Sequence, residues 1–571
     1  MTRARRGALL VAIVGATVMS AAVEADARPV TPPYETASLV IEVSEISFER
    51  FFSVPEVVSL ARSGGAALLA GRPFSAAQAL SESDPPIRTA YVAIDGRDLM
   101  EVGGQVQELV EGFPTRELLV IVVGSGSSAE MEAAKDDTFP VALAVGSPST
   151  LLSGSGAIGS LTSDSTLRAG VVIAADIGMT VGEYLGGGFL VSGEETGSPI
   201  RIVPGPPPFA LHERYLQQRR LSVPIGTTAA LYVTGVGMIA SALVAFAGRT
   251  RRRLRRIGGW ACLSLPALAT ALLAVGHLPE LRYANVVPFL ALVTVFGTLA
   301  FSPLEQQDLT LVPAGIGLAV LAFFAVEALL GWTAMLTPLL GGSQLDGGRF
   351  YGLPNVAVGL LIGACLWVAQ RLSTLRGFIL LCGVALFAGL PLMGSNLGGG
   401  VSLFATAGLW LAVRERDRFG IGKGISVFIG VTLLGTALIL IAHAISPVAT
   451  HITRFENSVS GPGGIVAKVF DRLQVGFDLI ARNPAALIPE VMVIASLVVV
   501  LRPPPLIRLT FERWPAWRDS ILVALLAAIV AYLVNDSGPS AMALAVALGF
   551  GGMLGVSLLA APGKMDGDGD P

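Results

Sequence analysis

Beyond Pro224 the chain is a succession of apolar runs, at about 225–247, 258–275, 285–303, 311–332, 356–372, 377–393, 399–413, 425–445, 485–501, 519–534 and 539–560, and the charges retreat into short clusters between them. An apolar run of about 20 residues crosses the hydrocarbon of a bilayer as a helix. The pattern therefore predicts an all-α polytopic membrane domain over 225–561, with about eleven helices. Composition points the same way: 53% of the residues are hydrophobic and only 14% charged, where a soluble domain carries about 25% charged residues. The mean hydropathy of +0.68 places that excess in lipid.

Residues 28–203 have the charge balance of a soluble domain instead. Apolar blocks at 39–43, 91–94, 118–123, 141–145 and 171–174 alternate with stretches of helical period at 55–62, 98–110 and 176–185. Continuous apolar blocks fit strands buried on both faces, so a parallel α/β sheet is expected. The three cysteines, Cys262, Cys365 and Cys382, fall in the predicted membrane helices. Without a disulfide, residues 28–203 must rest on an apolar core.

The first 27 residues read as a secretory signal: Arg3, Arg5 and Arg6, an apolar run to Val23, then a small-x-small site at 25–27. An uncleaved first membrane helix is the other reading of the same segment, and both put residues 28–203 outside the cell. Residues 204–224 form a proline-rich linker with a charged juxtamembrane stretch containing His212. The six arginines of 249–256 mark the cytoplasmic end of the first helix. Later clusters, Arg371 and Arg376, 414–423 and 502–518, then also fall inside on an eleven-helix threading. The C-terminus, with its acidic tail at 562–571, is cytoplasmic on the same count. A multi-pass protein of a bacterial plasma membrane, in contact with membrane lipid, is the expectation.

The loop 339–355, LLGGSQLDGGRFYGLPN, separates two membrane runs and carries more side-chain chemistry than a connection needs. On the threading it shares the outer face with turns at 394–400 and 535–538. A stretch of helical period at 465–481 reads as an interfacial helix on that face. Asp346, Arg349, Tyr351, Asn355, Asn396, Asn535 and Asp536 form a polar set that would converge there. Arg349 suits a phosphate or carboxylate, and an aspartate could act as base or hold a cation. Asn and Asp also cap helices and fill turns, a role that does not call for Arg or Tyr. Glu327 and Glu490 lie in otherwise apolar runs, where carboxylates are costly unless they serve a function or reach water.

His443 and His451 have no cysteine or carboxylate at ligand spacing, so no metal site is expected, and no cofactor is implied. A net charge of −3 without a basic stripe does not suggest a nucleic-acid partner, and none is expected. Protein partners are not legible.

Two stretches carry a family resemblance. Residues 161–186, with Ser163, Ser165, Thr166, Asp176 and Thr180, resemble the closing segment of alkaline-phosphatase-like domains. Gly348 to Asn355, Asn396 to Gly399 and Val534 to Gly538 resemble an uncharacterised family of Gram-positive-type, actinobacterial-like envelope proteins, in which such a domain precedes a polytopic module. Departures qualify what this implies. The first strand, 40–46, lacks the metal-binding Asp followed by Gly, and no histidine precedes His212. The resemblance thus implies a trimmed, non-catalytic outer domain, a pseudoenzyme without phosphatase or sulfatase activity. In the membrane motif Pro354 and Val356 depart from the pattern, whereas Arg349, Tyr351 and Asn355 keep it.

Three functions are compatible with these residues. One is binding or processing an anionic lipid-linked or glycan envelope precursor at the outer face. Another is a transporter or flippase using Glu327 and Glu490, and the third is a non-catalytic envelope receptor or scaffold. Whether the chain is an enzyme is left open by its residues.

Overall fold

The computed structural model describes residues 36–44, 48–63, 65–70, 89–95, 99–111, 117–124, 141–146, 160–166, 170–184, 198–203, 208–246, 250–346, 351–391, 393–446, 474, 487–535 and 538–561. The signal segment, the start of the linker, Arg349, Asp536, His451, nearly all of 465–481 and the acidic tail lie outside the described residues.

The first unit contains strands β1 (Thr36–Ser44), β2 (Gly65–Ala70), β3 (Thr89–Asp95), β4 (Glu117–Gly124), β5 (Val141–Gly146), β6 (Ser160–Thr162), β7 (Val171–Ile173) and β8 (Arg201–Val203). Helices α1 (Pro55–Ser63), α2 (Leu99–Glu111) and α3 (Ala174–Tyr184) cover the sheet. Leu39, Ile41 and Val43 of β1 pack into one apolar cluster with Val102 and Val106 of α2. Val40 packs into another, with Ile177 and Val181 of α3. Both faces of the central strands are therefore buried, and each large side chain so buried stabilises the fold by roughly 1.5–3 kcal/mol.

The expected parallel sheet is a mixed one. Its order is β3-β1-β4-β5-β2-β6-β8, with β7 also on β2. The pairs β1/β3 and β1/β4 are parallel, whereas β5 runs antiparallel to both β4 and β2. A continuous apolar block reports burial on two faces and carries no information on direction, which is why β5 read like its neighbours.

Helix α4 (Pro208–Ala245) begins inside the segment expected as a linker and continues through Pro224. Buried Pro208, His212, Tyr215, Gln218, Leu221 and Ile225 recur every three or four residues along one face. Tyr215 belongs to the sheet domain's core, and Ile225 to a cluster with Leu272 and Leu339. Packing on both sides of Pro224 outweighs the single ladder hydrogen bond the proline removes.

The remaining helices are α5 (Arg252–Leu263), α6 (Leu265–Ala274), α7 (Tyr283–Leu299), α8 (Leu311–Leu329), α9 (Asn355–Ala369), α10 (Thr374–Gly389), α11 (Leu397–Arg414), α12 (Arg416–Ala444), α13 (Ile488–Leu501), α14 (Pro505–Arg513), α15 (Pro515–Val534) and α16 (Gly538–Ala560). Among the described residues eight helical segments are long and apolar enough to cross a membrane, or nine if α13 and α14, bent by 69°, count as one. The chain is an integral, multi-pass membrane protein on that ground. The expected eleven falls to eight or nine because α9 and α10 are only 15 and 16 residues long. Helix α9 is buried over nearly its whole length, so its apolar run meets protein rather than lipid.

Polar contacts define two ends of the bundle. At one, Arg256 pairs with Glu305, Arg371 with Asp308, and Arg414 and Arg416 with Asp519. Gln370 reaches Thr310 O and Ser520 reaches Leu366 O, which joins these pairs into one arginine-rich end. At the other end, Arg214 and Gln218 at the start of α4 donate to Gly276 O and Pro338 O, fastening the sheet domain to the helices.

Candidate functional site

The loop between α8 and α9 is built into both units. Its Leu345 is buried in the sheet domain's core, with Leu336 packed against the same cluster. Its Leu353 is buried in the helical core. Ser343 Oγ donates to Leu336 O at 2.6 Å and accepts from Leu345 N at 3.0 Å, and Gln344 Nε2 donates to Gly352 O at 2.9 Å. The last bond closes the base of the segment that carries Arg349. Gly352 has φ +91°, and a Cβ on it would lie 2.2 Å from Gly394 O. Only glycine allows that approach, and it adopts the left-handed backbone without a Cβ penalty.

Of the sequence-predicted set, the structure brings Asn355, Asn396 and Asn535 together around the start of α11. Asn396 is fully buried and caps that helix: its Oδ1 accepts from Gly399 N at 2.7 Å. Its Nδ2 donates to Leu353 O at 3.0 Å and Asn355 Oδ1 at 3.1 Å. Asn535, also buried, donates to Ser402 Oγ and Ala531 O, both at 3.0 Å, while its Oδ1 finds no partner. Tyr351 is half-buried against the helical core. Asp346 ends a short 3-10 turn, Gln344–Asp346. Arg349 and Asp536 lie outside the described residues.

Glu327 sits in the last turn of α8 with its side chain buried. Its Oε1 contacts His277 Nε2, and its Oε2 accepts from Ala334 N at 3.1 Å. Two residues with left-handed backbone follow the helix, Gly331 (φ 68°) and Trp332 (φ 62°). For Trp332 that conformation costs roughly 1–2 kcal/mol. Its amide donates to Glu327 O at 2.7 Å and its indole to Met393 O at 2.8 Å, and these bonds hold it there. The contact of Arg214 with Gly276 thus runs on through His277, Glu327 and Trp332 to the turn before α11. His277 was not among the expected site residues; its place in a break between apolar runs was the only signal.

Glu490 lies apart, in the first turn of α13, with both carboxylate oxygens occluded and unpartnered. His443 Nε2 donates to Gly389 O at 2.8 Å.

In the sheet domain the buried carboxylate of Asp176 collects four donors. Ser163 Oγ and Ile173 N reach Oδ2 at 2.6 and 2.9 Å, and Ser165 Oγ and Ser198 N reach Oδ1 at 2.6 and 2.8 Å. Burial pushes this carboxyl above its ordinary range, and the four donors pull it part of the way back. Thr166 donates to Val171 O, and Thr180 Oγ1 accepts from Ile200 N. Ser163, Ser165, Thr166, Asp176 and Thr180 of the 161–186 motif thus fasten the end of the domain together. Among the described residues no group of three His, Cys, Asp or Glu is placed to hold a metal ion.

Comparison with protein-family models, curated proteins and solved structures found no match to this chain.

Proposed function

We propose that this is a plasma-membrane protein with a non-catalytic, alkaline-phosphatase-like outer domain, and that it binds an anionic lipid-linked or glycan envelope precursor at its outer face. The reading rests on one observation. The segment carrying Arg349 is closed by the Gln344 to Gly352 hydrogen bond and flanked by Leu345 in the sheet core and Leu353 in the helical core. A guanidinium suits a phosphate or a carboxylate, which it binds through two parallel N–H donors. The arginine-rich end is then cytoplasmic, with the sheet domain outside. Binding is favoured over chemistry because the Asp176 carboxylate and the Asn396 amide are already engaged by internal hydrogen bonds.

The test is mass spectrometry of lipids retained by the full chain. Wild type should enrich acidic lipid-linked species over the bulk membrane, Arg349→Ala should lose them, and Arg349→Lys should keep a fraction, since an ammonium lacks the planar fork. Equal retention by wild type and Arg349→Ala would overturn the reading.

The unpartnered Glu490 supports a second reading, a transporter or flippase in which that carboxylate carries charge. It predicts that Glu490→Gln abolishes lipid flipping in proteoliposomes, and a variant flipping at the wild-type rate, or a wild type that flips nothing, removes it.

A further inference from the structure

Helix α5 opens the arginine-rich end with two unlike faces. Arg255, Gly258, Gly259, Cys262 and Leu263 form its buried face. Gly258 is pressed against Leu243 of α4 and Gly259 against Leu559 and Gly555 O of α16, which fixes the helix in place. On the other side Arg251, Arg252, Arg253 and Arg256 are exposed. So are Leu254 and Ile257, at 50% and 58%, and Phe246, just before α5, at 58%. Leu254 and Ile257 are three residues apart and adjoin on the helix surface, as do Arg253 and Arg256. An apolar strip therefore runs beside a cationic one. Arg256 is held by Glu305 at 2.8 Å. Among the described residues no ion pair is formed by Arg251, Arg252 or Arg253.

We propose that this strip on α5 binds an anionic phospholipid, with the headgroup at the exposed arginines Arg251, Arg252 and Arg253 that open the helix and an acyl chain along Leu254 and Ile257. Charge complementarity selects the partner: the arginines carry no acid of their own, and the adjoining side chains are apolar, as a lipid requires and a soluble anion does not. The inference rests only on the chain lying in a bilayer and is independent of any ligand at the opposite end. Each arginine near an anionic leaflet contributes about fivefold in affinity.

The experiment is native mass spectrometry of the detergent-solubilised full chain titrated with phosphatidylglycerol or phosphatidylcholine. Wild type should prefer phosphatidylglycerol. The variant Arg251→Gln/Arg252→Gln/Arg253→Gln should bind it about a hundredfold more weakly, by the same increment per arginine. The control Arg508→Gln/Arg518→Gln, which removes exposed arginines elsewhere at the same end, should retain the preference. Leu254→Gln/Ile257→Gln should weaken phosphatidylglycerol binding too, and the deacylated headgroup should fail to compete. The proposal is overturned if the triple variant keeps wild-type affinity, if the control loses as much, or if the deacylated headgroup competes as well as the lipid.

Discussion

The carboxylate of Glu327 and the imidazole of His277, fifty residues apart in sequence, meet where α8 ends beside the turn after α6. The carboxylate is almost wholly enclosed, while the imidazole keeps 40% of its surface in solvent. Enclosing a charge is tolerable when a partner and a donor receive it, and here His277 and the Ala334 amide do so.

Removing either side chain should therefore destabilise the chain. Taking out one partner of a fully buried pair costs roughly 3–5 kcal/mol, and half-exposed His277 lowers this to about 1–3 kcal/mol. His277→Ala leaves the carboxylate without its side-chain partner, and Glu327→Gln presents an amide donor where the Ala334 N–H or His277 already donates. The double variant should lose less than the sum of the single losses, by about 1 kcal/mol. Thermal unfolding in detergent followed by tryptophan emission measures this, because Trp332 bonds directly to the Glu327 carbonyl. Strict additivity would mean that the two side chains do not interact.

Gly352→Ala tests the geometry of the loop between α8 and α9 without touching Arg349. Its Cβ would meet Gly394 O at 2.2 Å in a left-handed conformation, for a combined cost of about 2–4 kcal/mol. The loop must shift, and Gln344 loses its acceptor at Gly352 O. Lipid retention should fall as it does in Arg349→Ala. Unchanged retention would show that the loop's closure does not position the arginine.

How far this molecule was legible depends on the range of each signal. Strands such as β1 and β4 are apolar blocks of β-branched residues, and their burial on both faces is written in adjacent positions. Strand β2 reads GAALLA, whose low β-propensity hides it, and β6 and β8 are three residues each. The continuity of α4 through Pro224 depends on distant packing partners, which a local rule for proline does not see. Glu327 stood out because a carboxylate in an apolar run is conspicuous, but nothing near it in sequence points to His277. For Asn396 the residue type and the following glycines suggested a turn, while its bonds to Leu353 and Asn355 belong to the tertiary fold.

The two buried asparagines should respond differently. Asn396→Ala removes a helix cap and two further bonds, about 2–3 kcal/mol in sum if each interhelical bond is worth about 0.6 kcal/mol. Asn535 already carries an unsatisfied oxygen, so Asn535→Ala loses two donor bonds but also relieves a stranded acceptor. Its cost should be under about 1 kcal/mol. Chemical or thermal unfolding of the two variants in one detergent measures the order, and a larger loss for Asn535→Ala would contradict this assignment of roles.

Asp176 gives a pH-dependent prediction. Burial is the largest influence on its carboxyl and raises its pKa above the unfolded value, against the pull of Ser163, Ser165, Ser198 and Ile173. The folded chain thus holds that proton more tightly than the unfolded chain. The resulting stability is fully present below the unfolded value of about 3.9 and is lost as pH rises through the folded pKa. Asp176→Asn keeps the shape and has no proton to lose. Its amide nitrogen would face donors, a penalty of about 1–3 kcal/mol that is the same at every pH. The wild-type advantage should therefore be greatest in acid and shrink as pH rises, while a constant offset persists. Hydrogen exchange of residues 174–184 in the full chain is the suitable readout, since all six tryptophans lie beyond the sheet domain. Comparing the two chains at each pH cancels the intrinsic pH dependence of exchange. An advantage that instead grows with pH would mean that the four donors outweigh burial and that Asp176 is held as a carboxylate.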